Sequence, residues 1–179
     1  VTVSHKKPGN PQPNDPSDPA WENDMEAVHN LARMWYFTDN AAYAQKARDI
    51  LITWANNHTL FDAGEVYLEM GYRAHQVFEG AEILRGTWPG WTQADTDTLK
   101  TYFETVWWNS IYDHLAVPDP LRSANQGMSQ LAAALGVAVF LDDEVKFEQC
   151  LLPTTTSSTG AMAAPPTRAL IRASLETSP

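Results

Sequence analysis

From Ala20 onward the apolar positions recur every three or four residues, the period of an amphipathic helix. Trp21, Met25, Val28, Ala32 and Trp35 form the first such stripe, and Asp39-Asn40 ends it, with Asn40 placed to cap the next helix. There Tyr43, Ala47, Ile50, Leu51 and Trp54 repeat the pattern up to Asn56-Asn57. A third helix is predicted from about Glu65 to Arg85, with Met70, Ala74, Val77, Phe78, Ala81 and Leu84 turned inward. Thr87-Trp88-Pro89-Gly90 reads as a turn. Thr92, with Asp95 three residues on, then opens a helix to about Leu115 whose buried face carries Leu99, Tyr102, Phe103, Val106, Trp107 and Ile111. After the Pro118-Asp119-Pro120 loop a fifth helix covers roughly Gln126 to Leu141, and a short sixth runs from Asp142 to about Leu151.

Nothing before Leu152 alternates with the period of two that marks a strand, so the expected class is all-α. Short loops between helices of similar length favour antiparallel hairpins. Periodicity leaves open whether three hairpins form an ordinary bundle or an arc around an axis. The chain divides into an irregular, Pro-rich arm over residues 1–19, a helical domain over 20–151 and a Ser/Thr/Ala/Pro-rich tail over 152–179. Within that tail only Ala169 to Leu175 has a turn or two of helical character. The chain begins at Val1 without an initiator Met, which reads as a processed chain or a piece of a longer one.

Composition narrows the function classes. A formal charge of −10 lacks the basic face that phosphate contacts need, so nucleic acid is not an expected partner. No run approaches the roughly 18 apolar residues that span a bilayer, and Leu131 to Leu141 reads as a buried helix. The single cysteine, Cys150, allows no internal disulfide and reads as a small buried hydrophobe. The histidines are scattered and HExxH is absent, so neither a metal nor another cofactor is expected; Asp142-Asp143-Glu144 reads as helix-start charge. No G-x-S-x-G elbow supports serine chemistry.

Three stretches carry a family likeness. "AAYAQKARDILITWANN", "GYRAHQVFEGAEILRGTWPGW" and "SANQGMSQLAAALGVAVFLDDEVKFEQ" occur in the order and spacing of the bacterial and fungal alginate lyase-like family, over about Gly9 to Leu151. The chain resembles the N-terminal portion of that family. The likeness implies an incomplete (α/α) toroid and cleavage of an anionic uronate polymer, of alginate or glucuronan type, by β-elimination. It also implies a secreted or periplasmic location. Better-known members have Asn-His where this chain has Asn125-Gln126, and their catalytic tyrosine lies further downstream, where the tail here does not match.

β-Elimination removes the proton at C5 of a uronate and expels the oxygen at C4, so negative charge builds beside a carboxylate. Donors on that carboxylate, a base at C5 and an acid at O4 are required. By resemblance Asn125 is the candidate for neutralising the carboxylate, with Gln126 beside it on the substrate, at a helix N-terminus suited to anions. Asn125 or Ser123 would alternatively serve as a plain helix cap. On the third helix Tyr72, His75, Gln76 and Glu79 share the face opposite the apolar stripe. Tyr72 and His75 are candidates for sugar contact or proton transfer, Gln76 for substrate contact and Arg73, at the edge, for a carboxylate; an ordinary solvated face is the competing reading. Arg122 is a further candidate for uronate charge. His29 and His114 read as structural, His58 as a C-terminal dipole partner, and Trp88, Trp91, Trp107 and Trp108 as core. A toroid glycoside hydrolase using two carboxylates, or a non-catalytic polyuronate-binding fragment, are the alternatives.

Overall fold

The computed structural model describes residues 2–5, 17–64, 66–111 and 125–151. Strand β1 (Thr2–His5) is followed by α1 (Ser17–Thr38), α2 (Ala41–Asn57), β2 (Leu60–Gly64) and α3 (Val66–Thr87). Then come α4 (Gln93–Tyr102), which widens into a π-helical stretch at Phe103–Trp108, α5 (Asn125–Leu141) and α6 (Glu144–Leu151). The helix boundaries expected from residue spacing are met within about three residues, save the C-terminal end of α4, which lies outside the described residues. The expected caps are present. Asn40 Oδ1 accepts from the Ala42 amide (3.1 Å), and Thr92 and Asp95 form a reciprocal capping box. Asp39 (φ 54°) and Asp142 (φ 57°) take the left-handed turn that ends α1 and α5.

The helices stand in two rows. Contacts between α1 and α3 rise together in number: Arg73 with Glu22, Gly80 with Val28, and Trp35 Nε1 donating to Thr87 Oγ1 at 3.0 Å. The same holds for α3 and α5, through Gly71 with Ser129, Phe78 with Gly136, and Arg85 Nη1 donating to the Phe140 carbonyl at 3.0 Å. The helices α1, α3 and α5 therefore run parallel. In the second row Arg48 pairs with Asp95 and His58 with Tyr102, while Lys100 meets Asp142 and Lys146 meets Glu104, so α2, α4 and α6 are also mutually parallel. Trp54 Nε1 donates to Asp24 Oδ2 (2.8 Å), which sets α2 antiparallel to α1 and hence the second row antiparallel to the first. The expectation of all-α hairpins is met in this core.

Small residues let the first row close up. A Cβ on Gly71 would land on the Cβ and backbone of Ser129, and one on Gly136 would land on the Phe78 ring. Between the rows lies an aromatic cluster. Trp21 and Trp107, both fully buried, hold Phe61 edge-on at 5.4 and 5.3 Å, and Phe103 packs on Phe78 (4.7 Å) and Phe140 (4.9 Å). Trp88 is buried, and Trp91 and Trp108 pack against the same core, as their spacing led us to expect.

Two features depart from expectation. Residues 2–5, read as irregular, pair in parallel with β2, Val3 opposite Phe61, with a bulge between Ser4 and His5. Two strands this short carry no alternation that sequence spacing can register, and only their pairing makes them strands. The second departure is His58, which is no dipole partner for α2. It is 2% exposed, accepting at Nδ1 from the Tyr102 hydroxyl (2.7 Å) and donating from Nε2 to the Leu60 carbonyl (3.0 Å). Burial lowers its pKa to about 4, so it sits neutral in the fold and ties the start of β2 to the end of α4.

Two predictions follow from this packing. Gly71→Ala should cost about 3 kcal/mol or more through backbone overlap, whereas Gly86→Ala, with nothing within 4 Å, should gain about 0.5–1 kcal/mol from helix propensity. Chemical denaturation of the two variants checks the opposite signs. For His58 the folded pKa lies below the unfolded value of about 6.5, so its stabilisation is complete above that pH and is lost as pH falls toward 4. Between those limits the wild-type chain should lose about 3 kcal/mol that a His58→Gln chain does not lose; equal pH slopes would mean that His58 is charged in the fold.

Candidate functional site

The middle helix of the first row, α3, is covered on three sides. Toward α5 it presents Gly71 and Phe78, toward α1 Arg73 and Gly80, and toward the second row Met70, Ala74, Val77, Ala81 and Leu84. At 100° per residue the fourth side carries Tyr72, His75, Glu79 and, at its edge, Gln76. Tyr72 is 51% exposed, His75 and Glu79 are exposed, and Gln76 is half-buried. The polar face expected opposite the apolar stripe is therefore present, narrowed to a strip by the two flanking helices.

On α5 the Ser129–Gly71 contact settles where Asn125 lies. Asn125 is the first helical residue, exposed, one turn before Ser129, and its carbonyl accepts from Ser129 Oγ at 2.8 Å. It stands on the side of α5 between α3 and solvent, next to the exposed Met128, Ala132 and Val139. Because α3 and α5 are parallel, Asn125 and Tyr72 lie toward the same end of the row. At 1.5 Å rise per residue, Asn125 stands about 7–8 Å before Tyr72 and about 12 Å before His75 along the helix axes. Long side chains on a helix lean toward its N-terminus, which carries Tyr72 back toward the level of Asn125. Tyr72, His75 and Asn125, drawn from two segments of chain, thus share one open face.

The cations are placed differently. The Arg73 guanidinium lies between Glu22 (3.6 Å) and Glu26 (3.8 Å) of α1 and donates to Gln76 Oε1 (3.3 Å). Its charge is shared with two carboxylates at long range. Arg122 and the side chain of Gln126 lie outside the described residues, as do His114 and the tail over 152–179. The charged pairs of the second row are structural. Burial pushes the Asp95 carboxyl up, but hydrogen bonds from Arg48 and Thr92 outweigh it and hold the group below the usual carboxylate range. Asp142, taken for helix-start charge, pairs instead with Lys100 (2.8 Å) and Arg85 (3.4 Å), while Asp143 caps α6 through the Lys146 amide (3.0 Å).

One residue on this face escaped residue spacing. His29 of α1, read as structural, is 9% exposed, and its Nε2 lies 3.2 Å from Glu79 Oε2. Its ring also meets that of His75, centroids 5.8 Å apart and planes at 78°. The signal available in the sequence was the polar series Glu22, Glu26, His29 and Arg33, spaced 4, 3 and 4 along α1 beside the apolar stripe. Among the described residues no group of three or more His, Cys, Asp or Glu could hold a metal ion, and no helix is long and apolar enough to cross a membrane.

No curated protein and no solved structure gives a match. The family model described as alginate lyase matches residues 4–163, a span wider at both ends than the three motifs, and covers both rows of helices and β2. With the motifs in order and most of its length matched, the chain belongs to the alginate lyase family.

Proposed function

We propose that this chain is a polysaccharide lyase that cleaves a uronate polymer of alginate or glucuronan type by β-elimination, along the open face of α1, α3 and α5. The observation that carries this reading is that Asn125, at the start of α5, lies on the same open side of the helices as Tyr72 and His75 of α3. In this reading the two rows of antiparallel hairpins are an arc of an (α/α) toroid, with α1, α3 and α5 lining its inner wall. An extracellular or periplasmic location goes with a polymeric substrate.

The chemistry follows from the order of the groups along the helices. The Asn125 amide, at the first turn of α5, donates to the uronate carboxylate, and the free amides of that turn add positive potential. Charge delocalised from C5 onto that carboxylate in the transition state is thereby stabilised. The His75 imidazole takes the C5 proton. The released electron pair forms the C4–C5 double bond, the C4–O bond breaks, and the Tyr72 phenol protonates the departing oxygen. Arg73 and Gln76, at the edge of the strip, contact neighbouring sugar units; Gln126 and Arg122 are, by family likeness, further candidates for substrate contact. The net charge of −10 makes this local set of donors, rather than the overall field, the attraction for a polyanion.

The test follows the ultraviolet absorbance of the unsaturated uronate end over a panel of polyuronates. Asn125→Ala should lower kcat/KM roughly 100- to 1000-fold, and Tyr72→Phe by a comparable factor. Circular dichroism should be unchanged, since Asn125 is exposed and Tyr72 half exposed. Products without a double bond would point to hydrolysis, and no product from folded protein would remove the catalytic reading.

A further inference from the structure

The seam between α1 and α3 is built from charged side chains. At its N-terminal end Arg73 lies between Glu22 and Glu26. Further along, His29 reaches from α1 to Glu79 of α3, with Nε2 3.2 Å from Oε2. The His29 side chain is 11% exposed and that of Glu79 is 52% exposed, so a buried ring faces a solvent-facing carboxylate. The distance suits charge pairing, although Nε2 has no aligned hydrogen bond.

His75 stands directly beside this pair. Glu79 is one turn along the same face of α3, within reach of His75 as well as of His29. The His29 ring meets the His75 ring at 5.8 Å, near perpendicular. The charged groups on the α1 side of His75 are His29, Glu26 and Glu22, and on α3 itself Glu79 and Arg73. On its other side α5 presents Asn125, Met128, Ala132 and Val139, none of them charged.

We propose that His29 is a positioning residue for His75: it holds the Glu79 carboxylate on the α1 side of the seam and packs its ring against the His75 ring. His75 then stands on the open face without a carboxylate partner among the described residues. The physical reason is competition for one anion. An exposed glutamate one turn from an imidazole pairs with it and favours its protonated form, and an imidazole that already holds a proton cannot take another. A second, buried imidazole that engages the carboxylate removes that competition. The catalytic sense of this inference rests on the lyase reading above, but the positioning itself does not.

The experiment is an NMR titration of the His75 ring in the full chain, free of substrate. In His29→Gln the released Glu79 should turn to His75 and raise its midpoint by about half to one pH unit, and Glu79→Gln added to that variant should return it. With Glu79→Gln alone, at an exposed position that leaves the fold intact, the His75 midpoint should not move. A fall in that single variant would show that Glu79 already serves His75, and it would overturn the proposal even if His29→Gln failed to fold. An unmoved midpoint in folded His29→Gln, or a rise that Glu79→Gln does not reverse, would overturn it too. If the chain cleaves polyuronate, the acid limb of kcat/KM should shift with the NMR midpoint. A chain that titrates as expected but cleaves nothing would keep the positioning of His75 and remove the lyase reading, so the two failures are distinct.

Discussion

The proposed site depends on how closely three parallel helices approach one another. The contact of α3 with α5 is backbone against side chain at Gly71 and ring against backbone at Gly136, and the contact with α1 puts Gly80 on Val28. Interaxial distances are set by the side chains at the crossing, and here those side chains are hydrogen atoms. Close approach carries two consequences. It buries α3 on three sides, leaving a single strip exposed, and it brings the first turn of α5 against the first turns of α3, so that Asn125 and Tyr72 belong to one surface. Larger residues at these crossings would separate the groups before they altered any of them.

The interior treats its polar groups in two ways. Between the rows, the Tyr102 hydroxyl, the His58 ring and the Leu60 carbonyl form a chain in which each hydrogen bond assigns the next, and burial keeps the imidazole neutral. That chain is sealed beneath Phe61 and does structural work, joining the β ladder to α4. Along the α1–α3 seam His29 and His75 lie at the border with solvent, beside the carboxylate of Glu79. The same residue type is therefore a sealed structural link in one place and a neighbour of a solvent-facing carboxylate in the other. Exposure and neighbouring charge make the difference.

The helices themselves were legible because their stripes recur at the helical period and their caps use Asn40, Thr92 and Asp95, whose capping hydrogen bonds are to backbone within three residues. Trp107 proved to be core for the same reason, since it falls on a stripe, while Trp88, Trp91 and Trp108 reach the core from a turn, a loop and a helix flank. His58 was misread because its position at a helix end suggests a partner for the last carbonyls, whereas its partners are a strand carbonyl and a hydroxyl 44 residues away in α4. The β ladder was invisible because pairing, not composition, defines strands of four and five residues. His29 lay on the edge of an apolar stripe and was assigned to the core; its burial agrees, but its partners Glu79 and His75 come from another helix.

Residue spacing alone settled that the core is helical, where the helices begin and end, and that α3 has a polar side containing Tyr72 and His75. Those properties depend on interactions within about four residues, which a linear chain displays directly. Family motifs, themselves local, carried the likeness to alginate lyases that the family match establishes. Tertiary packing alone decided that the odd and even helices form separate parallel rows, and that Arg73 shares its charge with α1. It also decided that Asn125 faces the strip of α3. Each of these depends on which glycine meets which side chain across some 50 to 60 positions of sequence, and no local pattern encodes that distance.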